Sequence, residues 1–125
     1  MSVDLTPSES LELWRRVMVT SVRSHGPDLS ARQLALVLIV YMTPAPHTVR
    51  GLAGLLNVSK PAITRALDRL GKLGIVRRKV DEADRRSVLV QRTVKGSVFL
   101  REFADLVAQT GRELREGETK APPAA

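Results

Sequence analysis

The chain has 125 residues, 43% of them apolar, no cysteine, only 3% aromatic side chains and a net charge of +7. That length suits one modest domain with an aliphatic core, and the lack of thiols excludes a disulfide framework and a thiol redox switch. The longest apolar run, Leu34 to Met42, is nine residues against the ~20 needed to cross a bilayer, and the acidic start has no apolar leader, so a cytoplasmic protein without membrane contact is expected.

Thr6-Pro7-Ser8-Glu9 combines a capping threonine, proline at the first helical position and a glutamate three residues after the cap, which predicts a helix from residue 6 to about 24. His25-Gly26-Pro27 stops it. Leu11, Leu13, Trp14, Val17, Met18, Val19 and Val22 cover more of its circumference than one core stripe needs, so a second apolar surface, buried by a second copy of the chain, is expected. Ser30 and Gln33 form another capping pair and launch Leu34 to Met42, apolar nearly all round and the expected centre of the core. Pro44 and Pro46 break that helix.

Thr48 caps a short apolar helix, Val49 to Leu56, and a turn at Asn57-Val58-Ser59 leads into a second one with Pro61 in its first turn. Ile63, Ala66, Leu67, Leu70 and Leu73 share one stripe of this second helix; the opposite face collects Pro61, Thr64, Arg65, Asp68 and Lys72, with Arg69 at its border and Lys60 nearer the buried side. Gly74 ends it. Ile75 to Val80 and Ser87 to Thr93 read as β-branched strands joined by the charged run Asp81 to Arg86, a helix-turn-helix followed by a wing. Thr93 caps a last helix from Val94 to about Glu116, where Gly96 removes a side chain at an expected close approach to the wing strands. The expected organisation is one domain over 1–116, with dimerisation helices at 6–24 and 94–116 flanking the helix-turn-helix and wing at 48–93. Residues 117–125, GETKAPPAA, read as a disordered tail.

Charge is concentrated in the middle of the chain. Residues 48–97 hold twelve Lys and Arg against four Asp and Glu, residues 1–47 balance at zero, and 98–125 sum to −1. The excess lies wholly on the helix-turn-helix and wing, which predicts a polyanionic partner.

Through LNVSKPAITRALDRL, GIVRR and DEADRRSV, the span from about Ser30 to Gly96 resembles the MarR family of winged-helix transcriptional regulators. The resemblance implies a mostly α fold with a small β-wing and flanking dimerisation helices. It further implies a homodimer that grips a pseudo-palindromic operator in double-stranded DNA. Thr48, Arg50, Ser59, Lys60, Pro61, Thr64 and Arg65 are the candidate DNA-binding residues of the two helices. Arg69 and Lys72, further along, are expected at phosphates or in water. In the wing, the resemblance implies that Asp84 orients Arg86 for the minor groove, with Arg85 beside it, and Arg78 opens an R-x5-D-x-R spacing that suggests a structural bond to Asp84 or a DNA contact. Trp14, Met18, Tyr41 and Met42 are candidates for an effector pocket of the kind that relatives place between dimer helices and DNA-binding lobe, with plain core packing the alternative reading.

His25 and His47 are too isolated for a metal site, and no nucleophile, paired-carboxylate or glycine-rich phosphate arrangement presents itself, so neither a cofactor nor an enzymatic activity is expected. The rival reading is a winged helix used as a protein-protein interaction module, its basic face meeting an acidic partner.

Overall fold

Side-chain caps set where the helices begin. In the computed structural model, which describes residues 4–119, Thr6 Oγ1 accepts from the Glu9 amide while the Glu9 carboxylate accepts from the Thr6 amide, and α1 runs Pro7–Arg23. Ser30 and Gln33 repeat the reciprocal pair ahead of α2, Ala31–Met42. Each such cap stabilises its helix by about 1 kcal/mol. The chain then forms a two-residue strand β1, His47–Thr48, before α3, Val49–Leu56, and α4, Lys60–Lys72. Strands β2, Val76–Val80, and β3, Val88–Arg92, precede α5, Val94–Thr119. Thr93 Oγ1 accepts from the Gly96 amide at 2.9 Å and opens that last helix.

The chain divides into two compact units, Leu29–Leu100 and the described parts of Met1–Asp28 with Arg101–Ala125. The smaller unit holds most of the segments expected as flanking helices, and the larger one holds the helix-turn-helix and wing. In the larger unit, Leu36, Val37 and Val40 of α2 meet Val49 and Leu52 of α3, Ile63, Ala66, Leu67 and Leu70 of α4, and Ile75, Val76 and Val90 around the sheet. The core is aliphatic throughout, as the low aromatic content dictates, and each fully buried leucine contributes about 1.5–3 kcal/mol relative to exposure. The antiparallel sheet has the order β1-β3-β2, with Thr48 opposite Leu89 and Arg78 opposite Val90. Strand β1 was not legible beforehand, because two residues carry no periodicity.

Gly74 takes φ +76, a left-handed backbone, and lets the Ile75 amide return to the Leu70 carbonyl at 2.9 Å. That turn aims the chain from α4 straight into β2. Arg92 closes the other side of the unit: its Nε donates to Val40 O at 2.8 Å and its Nη2 to Thr43 O at 3.0 Å. A cation on the last carbonyls of α2 is favoured by the helix dipole.

In the smaller unit Val17 is fully buried, and Thr110, also buried, satisfies its hydroxyl on Leu106 O. Leu11, Trp14, Val19 and Val22 of α1 stay exposed, and at 3.6 residues per turn they fall within an arc of ~140°. Helix α5 continues through Thr119, past the boundary expected at Glu116: Gly117 does not interrupt it. The rest of the expected tail, 120–125, lies outside the described residues.

Candidate nucleic-acid interface

The α3–α4 turn is tight because Asn57 adopts a left-handed conformation at φ 53, and Ser59 caps α4 by accepting from the Ala62 amide at 3.3 Å. Ala62, Ile63, Ala66, Leu67 and Leu70 of α4 are buried. This seats the helix with Lys60, Pro61, Arg65, Asp68 and Lys72 on its exposed side. Lys60, expected nearer the buried side, is exposed.

Between the start of α3, the start of α4 and the wing lies a cleft of about 260 Å³, lined by Thr48, Val49, Arg50, Lys60, Thr64, Arg78, Asp84, Arg86, Ser87 and Val88. Thr48, Arg50, Lys60, Thr64, Arg78, Asp84 and Arg86 were each singled out from sequence, and the fold brings them together. Cations outnumber the one carboxylate on this lining, and the concave shape concentrates their field. Ser59 stays at the helix cap, Pro61 in the first turn, and Arg65 one residue beyond Thr64 on the exposed side.

The seven-residue connection between β2 and β3 is shaped by its own aspartates. Asp81 Oδ1 accepts from the Ala83 amide at 3.0 Å, and Asp84 Oδ1 accepts from the Arg86 amide at 3.1 Å. The Asp81 amide reaches Ser87 O at 3.0 Å and closes the loop. Such side-chain turns explain why the loop is longer than a tight hairpin demands. Asp84 Oδ1 also lies 3.4 Å from Arg86 Nε, so one carboxylate holds both the backbone and the side chain of Arg86. Arg85 is more than four-fifths exposed and sits 3.8 Å from Glu82.

Two expectations change. Arg78 bonds not Asp84 but Asp68 on α4, Nη2 to Oδ1 at 2.7 Å. Successive strand residues point to opposite faces, so Arg78 meets Asp68 while Arg77 next to it donates to Gln91 at 3.0 Å. Arg69 is turned toward the start of α2, where its Nη1 donates to Gln33 Oε1 at 2.7 Å. The same oxygen receives the Ser30 amide, so Arg69 braces the α2 cap. Asp68 was read only as part of an exposed face; the signal that singles it out is that it is the sole acid on an otherwise basic α4. Of the residues considered for an effector pocket, Tyr41 is engaged with Ile75 and Thr93, while Met42 and Trp14 are exposed.

Two packed helices around a left-handed turn, followed by a stranded wing whose tip flanks the second helix, define a winged helix-turn-helix. Residues 29–88 match the sequence model of the MarR family, and the chain shares the winged-helix fold of that family's transcriptional regulators. Similar solved structures include a MepR variant from S. aureus, with TM-score 0.73 and 18% identity over 90% of this chain and 84% of that one, a likeness of fold. A MarR variant from E. coli complexed with operator DNA has TM-score 0.66 and 28% identity over 86% and 75%. The regulator BldR from Sulfolobus solfataricus has TM-score 0.61 and 29% identity over 83% and 69%.

Proposed function

We propose that the chain is a sequence-specific regulator that binds double-stranded DNA as a homodimer. The start of α4 enters the major groove, where Lys60, Pro61, Thr64 and Arg65 meet base edges, and Thr48, Arg50 and Ser59 approach the backbone. The wing carries Arg86, oriented by Asp84, into the adjacent minor groove, with Arg85 beside it. The observation that carries this reading is the cleft: residues from α3, α4 and the wing, far apart in sequence, line one basic concavity beside the exposed start of α4.

The exposed Leu11, Trp14, Val19 and Val22 of α1 supply an apolar surface of the kind a second copy covers. Two-fold symmetry then sets half-site centres about one helical turn, ~34 to 36 Å, apart. The E. coli MarR structure complexed with operator DNA lends support by likeness.

The test is selection of bound fragments from random DNA, then anisotropy titration of the selected and a scrambled duplex from roughly 50 to 200 mM salt. Saturable binding with a sequence preference and steep salt dependence is expected. A folded chain that ignores every duplex at low salt overturns the reading.

A further inference from the structure

Asp68 is the one acid on α4, beside Lys60, Arg65, Arg69 and Lys72. Its side chain is about half exposed at 52%, on the side of the helix that carries Thr64 and Arg65 rather than the core stripe. A carboxylate there repels the phosphates of the duplex that the proposed function brings to this face, and burial does not require it. Its contact is with Arg78, which lines the cleft with Lys60, Thr64 and Arg86.

Carboxylate and phosphate offer a guanidinium the same acceptor geometry. A phosphate that reaches Arg78 therefore competes with Asp68 for the same guanidinium. An ion pair this exposed is weak and exchanges readily, so a well-placed phosphate displaces the carboxylate while a poorly placed one does not.

We infer that Asp68 is a specificity-determining residue: it masks the Arg78 cation in the free protein and releases it only to a duplex on which α4 is fully seated. This rests on the proposed DNA-binding role and adds a repulsive element to it, the kind of device that discriminates by penalising wrong partners. On a scrambled duplex α4 rides above the groove, Arg78 stays on Asp68, and one phosphate contact is missing. On the operator, the contact forms.

The test measures affinity and its salt dependence for Asp68→Asn on the selected and scrambled duplexes. Scrambled binding is expected to tighten by about 3- to 10-fold and its log-log salt slope to steepen by ~0.9, the value for one added phosphate contact. Operator binding moves less, so the discrimination ratio falls, and Asp68→Glu keeps the wild-type ratio. A plain loss of repulsion is separated by repeating the substitution in an Arg78→Gln background, where the slope change is expected to vanish. The same slope change in both backgrounds, or none in either, overturns the inference. Asp68→Ser carries the same expectation and replaces the Asn variant if thermal melting shows that variant unfolded. If the wild type binds no duplex, the proposed function fails; if it binds selectively and the variants leave ratio and slope unchanged, only this inference fails.

Discussion

The Tyr41 hydroxyl occupies the space that a β-carbon on Gly96 would need, and the Ile75 carbonyl oxygen crowds the same point. Tyr41 Oη donates to Ile75 O at 2.6 Å and accepts from the Thr93 amide at 3.0 Å. One phenol thus pins α2 to the entry of β2 and the exit of β3, the two ends of the wing. Gly96 is the residue that lets α5 start this close.

Gly96→Ala is therefore expected to destabilise the protein by about 3 kcal/mol, since the overlap involves backbone as well as a side chain. Tyr41→Phe keeps the ring but leaves the Thr93 amide without its acceptor, at a cost of about 1–2 kcal/mol. Urea denaturation measures both. In the double variant the hydroxyl overlap is gone and the Ile75 overlap remains, so the two penalties should combine to less than their sum.

Arg65 stands exposed in the second turn of α4, one residue past Thr64 at the cleft. If it reads a base edge, Arg65→Ala lowers operator affinity by ~1–3 kcal/mol and scrambled affinity by less, narrowing discrimination. Competition titration against scrambled duplex checks this; an unchanged ratio would remove Arg65 from the base-reading set.

The local parts of this fold were legible in the sequence. Thr6, Ser30, Thr48 and Ser59 cap helices where expected, because a cap is decided within three residues. The convergence of Thr48, Lys60, Thr64, Arg78 and Arg86 on one cleft followed from seating α4 by its buried stripe and folding the wing back beside it. What escaped were choices between partners distant in sequence. Arg78 had a carboxylate in the wing and another on α4, each within ten residues of it, and the face of β2 on which Arg78 lies decides for Asp68. Arg69 and Gln33 lie 36 residues apart, and nothing in either segment announces the pair. Residues 117–119, read as the start of a disordered tail, stay helical, because glycine weakens a helix by only roughly 1 kcal/mol, too little to end one so long.

Since Arg69 braces Gln33 at the start of α2, Arg69→Ala is expected to cost folding stability, by about 1 kcal/mol for a charged donor that is partly exposed. Its effect on operator affinity, measured under conditions where the variant is fully folded, should be below that of Arg65→Ala. A loss of affinity with unchanged stability would instead return Arg69 to the DNA-contacting residues.

The Asp84–Arg86 pair makes a two-part expectation. Arg86→Ala removes the charge at the cleft and should weaken binding and lower the salt slope by ~0.9, as for one lost phosphate-equivalent contact. Asp84→Asn keeps the charge, weakens the hold on the Arg86 guanidinium and raises the net positive charge of the wing. Scrambled-duplex affinity should then hold or rise while operator affinity falls. Parallel anisotropy series on the two duplexes separate loss of charge from loss of orientation.

Acid sensitivity of α1 should trace to Glu12. Its carboxylate accepts from Arg15, one turn on, and from Arg16 at 2.7 Å. These bonds, Arg15 first and then Arg16, hold its pKa at about 2 against the usual 4.5. A group whose folded pKa is depressed stabilises the fold fully above its unfolded value and loses that contribution as pH falls through the folded one. The window is therefore from pH 4.5 down to about 2. Glu12→Gln cannot titrate, so the melting-temperature gap between wild type and variant should be widest above this window and close across it. Circular dichroism melts over the same pH range measure the gap. A gap that stays constant to the acid end would mean that the Arg15 and Arg16 bonds add no proton-linked stability to α1.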